Sequence, residues 1–138
     1  MNLQNISVKV ENVEEYSIGS LRALLTETAV LLEKLANDGA TGSIDLNSLP
    51  FAPGEYEQLR QLLGQGEVSA HIEAVGPSEV VETRYPGVWW VTHHNVEGDV
   101  IADTLEITTI PEIIKSQHED IKMGLELLRV QLNDEVQQ

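Results

Sequence analysis

Between Glu67 and Ile110 the chain makes three short reversals that separate four strand-like stretches, and few folds accommodate that pattern. In the first stretch Val68, Ala70, Ile72 and Ala74 alternate with Glu67, Ser69, His71 and Glu73, the period of two of a half-buried strand. "GPS" at 76–78 reads as a turn, "EVVETRY" as a second strand, and "PG" at 86–87 as the centre of a type II turn, which needs a positive φ at the glycine. "VWWVTHH" reads as a third strand, "NVEGD" as a turn around Gly98, and "VIADTLEITTI" as a fourth strand. Parallel neighbours need crossovers of a dozen residues or more, so links this short predict a four-stranded antiparallel meander over residues 66–110.

The flanking segments have the helical period. Ile18, Leu21, Leu25, Leu32 and Leu35 recur at three- and four-residue steps, widened by Leu24 and Leu31, with Ser17 or Ser20 available as a cap and Gly39 as the stop. A shorter helix follows Pro53, with Tyr56, Leu59, Leu62 and Leu63 facing inward and Gly64 ending it. Residues 1–16 read as a flexible lead-in or, at "ISVKV", an edge strand, and Ser43–Leu46 as a short extended piece. After Pro111 a C-terminal helix is expected over 112–134. Ile114, His118, Ile121, Leu125, Leu128 and Leu132 form a heptad-like seam there, beside a second row of Met123, Leu127 and Val130. One row is expected to pack on the sheet and the other on a helix, within the chain or in a second copy. The expected architecture is one α+β domain over residues 1–138, with a helical part (17–64), a sheet (66–110) and helices packed on one sheet face.

The net charge of −15, from 23 acidic against 8 basic residues, repels phosphate backbones and anionic lipid, and no basic patch offsets it. Nucleic acid and membrane surfaces are therefore not expected partners; protein surfaces are, basic ones among them. The apolar runs are shorter than the roughly 20 residues of a membrane span, and "MNLQNISVKVENVEEY" lacks a basic-then-apolar leader, which together read as cytoplasmic. The absence of cysteine excludes thiolate catalysis and cysteine-based metal ligation.

The histidines are the first candidates for chemistry. Neighbours on a strand point to opposite faces, so His93 and His94 do not readily share an ion, and His71 could add only one ligand from the first strand. A small metal-handling protein or enzyme built on His71, His93 and His94 is one alternative to a binding protein, and a structural homodimeric interaction module is another. No nucleophile elbow exists, and "GQGEVS" joins a helix to a strand, the reverse of a dinucleotide loop. Glu82 and Glu106 read as strand-surface carboxylates. Trp89 and Trp90 must also face opposite sides of the sheet. One is expected in the core and the other exposed for a partner or a second copy.

Three stretches, "LLGQGEVSAHI" (62–72), "VETRYPGVWWV" (81–91) and "LEITTIPEII" (105–114), resemble the conserved module of the HupH/HyaF family of hydrogenase expression proteins. The resemblance covers residues 55–120, and this chain is similar to that module standing as a short, single-module form. It implies a non-enzymatic maturation scaffold or chaperone for [NiFe]-hydrogenase with no cofactor of its own. Its partners would be a hydrogenase precursor subunit or another accessory protein, and dimerisation would restore bulk that longer members carry. The motif positions are Gly64, Gly66, Glu67, Val68 and Ser69; Glu82, Pro86, Gly87, Val88 and Trp89; and Glu106, Ile110 and Pro111. Of these, Gly66, Glu67, Glu82, Pro86, Gly87, Trp89 and Glu106, together with Trp90, are the candidate partner-binding residues; none is assigned a catalytic, cofactor or metal role.

Overall fold

The computed structural model describes the backbone of residues 2–137 and the side chains of residues 20–136. A long helix, α1 (Asn2–Asp38), leads into a short strand, β1 (Gly42–Asp45), a 3-10 turn (Leu46–Ser48) and helix α2 (Glu55–Leu63). Strands β2 (Ser69–Ala74), β3 (Gly76–Glu82), β4 (Val88–His94) and β5 (Val100–Ile107) follow, then a 3-10 turn (Glu112–Ile114) and helix α3 (His118–Gln137). The fold is α+β, and its sheet is entirely antiparallel in the order β1-β5-β4-β3-β2. The expected meander is present with a fifth strand added: the extended piece near Ser43 pairs along β5 from Gly42↔Ile107 to Asp45↔Thr104.

Directly opposed residues of an antiparallel pair share a face, so the register sorts the side chains. Val81, Trp90, Leu105 and Ile44 lie in one row across the front of the sheet. There α1 and α2 cover them with Leu21, Leu24, Leu59 and Leu63, and this is the main core. On the back face Val80, Trp89 and Val91 form a second, smaller cluster, flanked by Ala70, Ile72 and Ile114. Among the described residues no helix is long and apolar enough to cross a membrane.

Several expectations need correction. Helix α1 begins at Asn2, so "ISVKV" lies within a helix and not in an edge strand, and neither Ser17 nor Ser20 is a cap. Helix α2 starts at Glu55, after Gly54 turns the chain with φ 86°, leaving Pro53 outside it; Leu62 is exposed. The first hairpin reverses at Val75–Gly76, and Pro77 and Ser78 already belong to β3. The expected C-terminal helix is broken. Pro111 is buried, Glu112–Ile114 make a single 3-10 turn, and Lys115 is extended (ψ 137°), so Ile114 drops onto the back cluster beside Trp89. Helix α3 then starts at His118, and each of its residues described as far as Val136 is exposed. The expected packing of one α3 row on the sheet is absent.

The turn chemistry does match the sequence. Gly39 takes φ 70° and returns its N–H to Leu35, ending α1. Val88 N donates to Tyr85 O at 2.9 Å across Pro86–Gly87, with Gly87 at φ 96°, as a type II turn requires.

Candidate partner-binding surface

The register draws three motif residues into one line. Glu82 on β3 is opposite Trp89 on β4, which is opposite Glu106 on β5, all on the back face that α1 and α2 leave open. Glu82 is held from behind. Its Oε1 accepts the Glu67 N–H at 3.0 Å, and its backbone carbonyl accepts the Gly66 N–H at 2.7 Å. A Cβ at Gly66 would lie 2.5 Å from both Glu82 Oε1 and the Thr83 carbonyl, so the close approach itself demands glycine. Gly66 and Glu67 thus position Glu82.

Trp89 is 5% exposed. Its Nε1–H donates to Thr108 O at 3.1 Å, and Ile114 packs against it. Trp90, also 5% exposed, lies on the front, edge-on to Tyr56 at 5.3 Å between ring centroids, with the Arg60 guanidinium 4.6 Å over its ring. The two indoles do face opposite sides. The expectation that one stays open to a partner is nevertheless wrong, because the residues around Pro111–Ile114 fold back over the second face. Trp90 is a core anchor and Trp89 the floor of the back face.

Around that floor the chemistry is acidic. Glu106, Glu112, Thr41, Gly42, Ser43 and Thr108 line a cleft of about 370 Å³ beside β1. Burial pushes the Glu106 carboxyl above the ordinary glutamate value. Nearby Glu112 adds to the rise and His93 opposes it. A carboxyl raised on folding binds protons better in the native state, so its contribution to stability is greatest at low pH. That contribution falls as pH rises from the ordinary value of 4.5 through the raised one. Glu106→Gln is expected to leave the melting temperature at neutral pH unchanged or higher and to flatten its decline across that window, as read by thermal melts in a pH series.

The histidines do not assemble. His93 Nδ1 is 2.7 Å from Ser78 Oγ on the back face, while His94 lines a separate cleft on the front with Tyr56, Arg60 and Trp90. His71 lies on the exposed edge of the sheet, hydrogen-bonded to Glu79 and, at 2.5 Å, to Glu73. Both carboxylates hold its imidazole above its ordinary pKa, Glu79 the more strongly. Among the described residues no group of three potential ligands could hold a metal ion.

Pro86 and Gly87 adjoin the Glu82 end of the acidic row and share with it a groove that continues along α1 past Leu32 and Leu35. Asp103 was not singled out from sequence, and it is the polar centre of the front face. Only 3% exposed, it accepts from Trp90 Nε1 at 2.6 Å, Thr92 Oγ1 at 3.0 Å and Tyr56 OH at 2.5 Å. Its signal was its parity: Asp103, Leu105 and Ile107 alternate on one face of β5, so a carboxylate there had to find donors. Burial raises the Tyr56 hydroxyl pKa, and the bond to Asp103 raises it further.

The model for the HupH hydrogenase expression protein C-terminal conserved region matches residues 19–134 of this geometry. This chain belongs to the HupH hydrogenase expression protein family. The solved structure of hydrogenase expression protein HupH from Thiobacillus denitrificans superposes with a TM-score of 0.80 at 39% identity, covering 84% of this chain and 97% of that one. The hydrogenase expression/formation protein HoxQ of Azotobacter vinelandii is 36% identical over 87 residues, 63% of this chain but 31% of that relative. HupH of Rhodobacter capsulatus is 33% identical over 84 residues, 61% of this chain and 30% of its own length. The matched stretch thus spans about a third of these curated relatives. In this HupH-family chain the quoted motifs form the back-face row and the turns that hold it.

Proposed function

We propose that this HupH-family chain is a non-enzymatic accessory protein of [NiFe]-hydrogenase maturation. It acts in the cytoplasm and docks a basic segment of a hydrogenase precursor subunit, or of a fellow maturation factor, on its acidic back face. The observation that carries this reading is the line Glu82–Trp89–Glu106, with Glu112 beside it. Family motif residues that are far apart in sequence become one acidic surface, with the buried Trp89 supporting it from beneath. An anionic rim steers a cationic partner and fixes its register. The names of the relatives supply the process, and the surface supplies the kind of contact.

The test is co-purification of hydrogenase precursors and accessory proteins with the tagged chain, comparing the native sequence with Glu82→Gln/Glu106→Gln/Glu112→Gln. The substitutions keep shape and remove charge. Retention is expected to fall about tenfold at low salt, and native retention is expected to weaken as salt rises and screens the rim. Equal retention by both proteins, with matching circular dichroism, would overturn the assignment of the surface.

A further inference from the structure

Helix α3 has apolar residues on two opposite sides. Ile121, Leu125, Leu128 and Leu132 form one row, and Met123, Leu127 and Val130 the other. Leu125 and Leu127 are two residues apart, about 200° around a helix of 3.6 residues per turn. With Val136, these side chains are between 48% and 84% exposed, and among the described residues α3 makes no extensive packing on another element. A helix apolar on opposite faces belongs between two covering surfaces.

The body of the same chain has an unfilled counterpart. An apolar groove of about 240 Å³ runs between α1 and the sheet, lined by Leu25, Ala29, Leu32, Leu63, Tyr85 and Val88. It continues past Leu32 to Leu35 and Ala36 above the Pro86–Gly87 turn, where Glu82 joins its wall. The chain's own α3 is badly placed to fill it. Ile114 is fastened to the back of the sheet, the groove is on the front, and only Lys115–Gln117 separate Ile114 from α3. The four Cα steps from Ile114 to His118 span at most about 14 Å, and α3 leaves this link with every described side chain exposed and the groove unfilled.

We propose that α3 is exchanged between two copies of this chain: Met123, Leu127 and Val130 enter the α1 groove of the second copy, while the Ile121–Leu132 row packs on that copy's α3 at a two-fold axis. One symmetric assembly then covers both rows of both helices, which a single foreign groove does not. A stable interface of standard size takes about 800 Å² from each partner, and α3 offers eight exposed apolar side chains toward it. The isologous arrangement closes on itself, with no remaining edge to propagate. Each copy has a net charge of −15, so association opposes like charges and is expected to tighten as salt screens them. The salt response is opposite to that expected for the acidic back face.

Sedimentation equilibrium on the full chain is expected to give twice the monomer mass of 15.3 kDa, with tighter association at high sodium chloride. Leu125→Glu/Leu128→Glu is expected to weaken association at least about a hundredfold by placing charges in the buried row. The milder Met123→Gln/Leu127→Gln is expected to weaken it in the same direction. Because the described side chains of α3 are exposed, circular dichroism of the variants should keep the sheet and α2 signals. The chain has no cysteine, so Ala29→Cys/Leu127→Cys reports the groove contact directly: on oxidation, a chain-to-chain disulfide is expected. A native chain monomeric at high concentration and high salt, a dimer indifferent to the α3 variants, or a disulfide that fails to form or forms only within one chain would overturn the proposal.

Discussion

Trp90→Ala is expected to lower stability by about 4 kcal/mol, the cost of removing a large aromatic from a core that relaxes only in part. Two losses combine. The indole fills the front core between Tyr56 and the Leu105 row, and its N–H is one of three donors to the buried carboxylate of Asp103. Removing the ring opens a cavity and also leaves an acceptor short of a partner in a site from which water is largely excluded. Trp90→Phe separates the two, keeping most of the apolar volume while losing the 2.6 Å bond. It is expected to cost about 2 kcal/mol, nearer the price of an unmade buried hydrogen bond. Urea titration of the three proteins checks the ordering. Equal midpoints for native and Trp90→Ala would mean that this face is not the main core. Either Trp90 variant is therefore a probe of folding and unsuited to mapping a binding surface; Glu82, Glu106 and Glu112 serve for that.

Much of this architecture was legible in the residues, for identifiable reasons. The sheet was legible because alternation survives in β5 and because Pro86–Gly87 and Gly98 supply the backbone conformations, positive φ among them, that tight reversals need. The opposed faces of Trp89 and Trp90 follow from pleating alone. What covers Trp89 was not legible. It depends on Ile114, which in sequence continues the heptad seam of α3 and in the fold leaves that seam to pack on the back cluster. Local periodicity does not reveal that a helix breaks when a tertiary contact outweighs one more turn of hydrogen bonds. The same limit hid the pairing of β1: an extended piece at Ser43–Leu46 is legible, but its place beside β5 comes from tertiary contact. The acidic row was half legible. Glu82 and Glu106 could be named from the motifs, but their alignment on either side of Trp89 needs the register, and Glu112 joins them only because the chain doubles back after Pro111. Asp103 is not legible in the sequence, because one acid among 23 carries no mark beyond its parity on the strand.

Gly76→Ala is expected to destabilise the fold by about 4 kcal/mol, combining the strain of a left-handed backbone with a backbone collision. Gly76 takes φ 82° at the reversal between β2 and β3, where Ala74 is paired with Gly76 and Val75 alone forms the tip. A Cβ there would lie 2.1 Å from the carbonyl oxygen of His94. That oxygen belongs to the end of β4, next to the register shift between His93 and His94, so relief requires moving backbone and not a side chain. Gly98→Ala is the matched control. Gly98 has φ 92° with nothing within 4 Å of the added carbon, so only the conformational strain of about 1–2 kcal/mol applies. If chemical denaturation shows equal losses for the two variants, the His94 contact is not a constraint on the hairpin. A loss for Gly76→Ala at least about twice that for Gly98→Ala is the expected result, because the strain is shared and the collision is not. The effect should reach the back face as well, since β3 carries Glu82 and Val80 along the strand that begins at Gly76. A variant that retains its fold is therefore expected to lose partner retention by displacing Glu82, without any change to a charged residue.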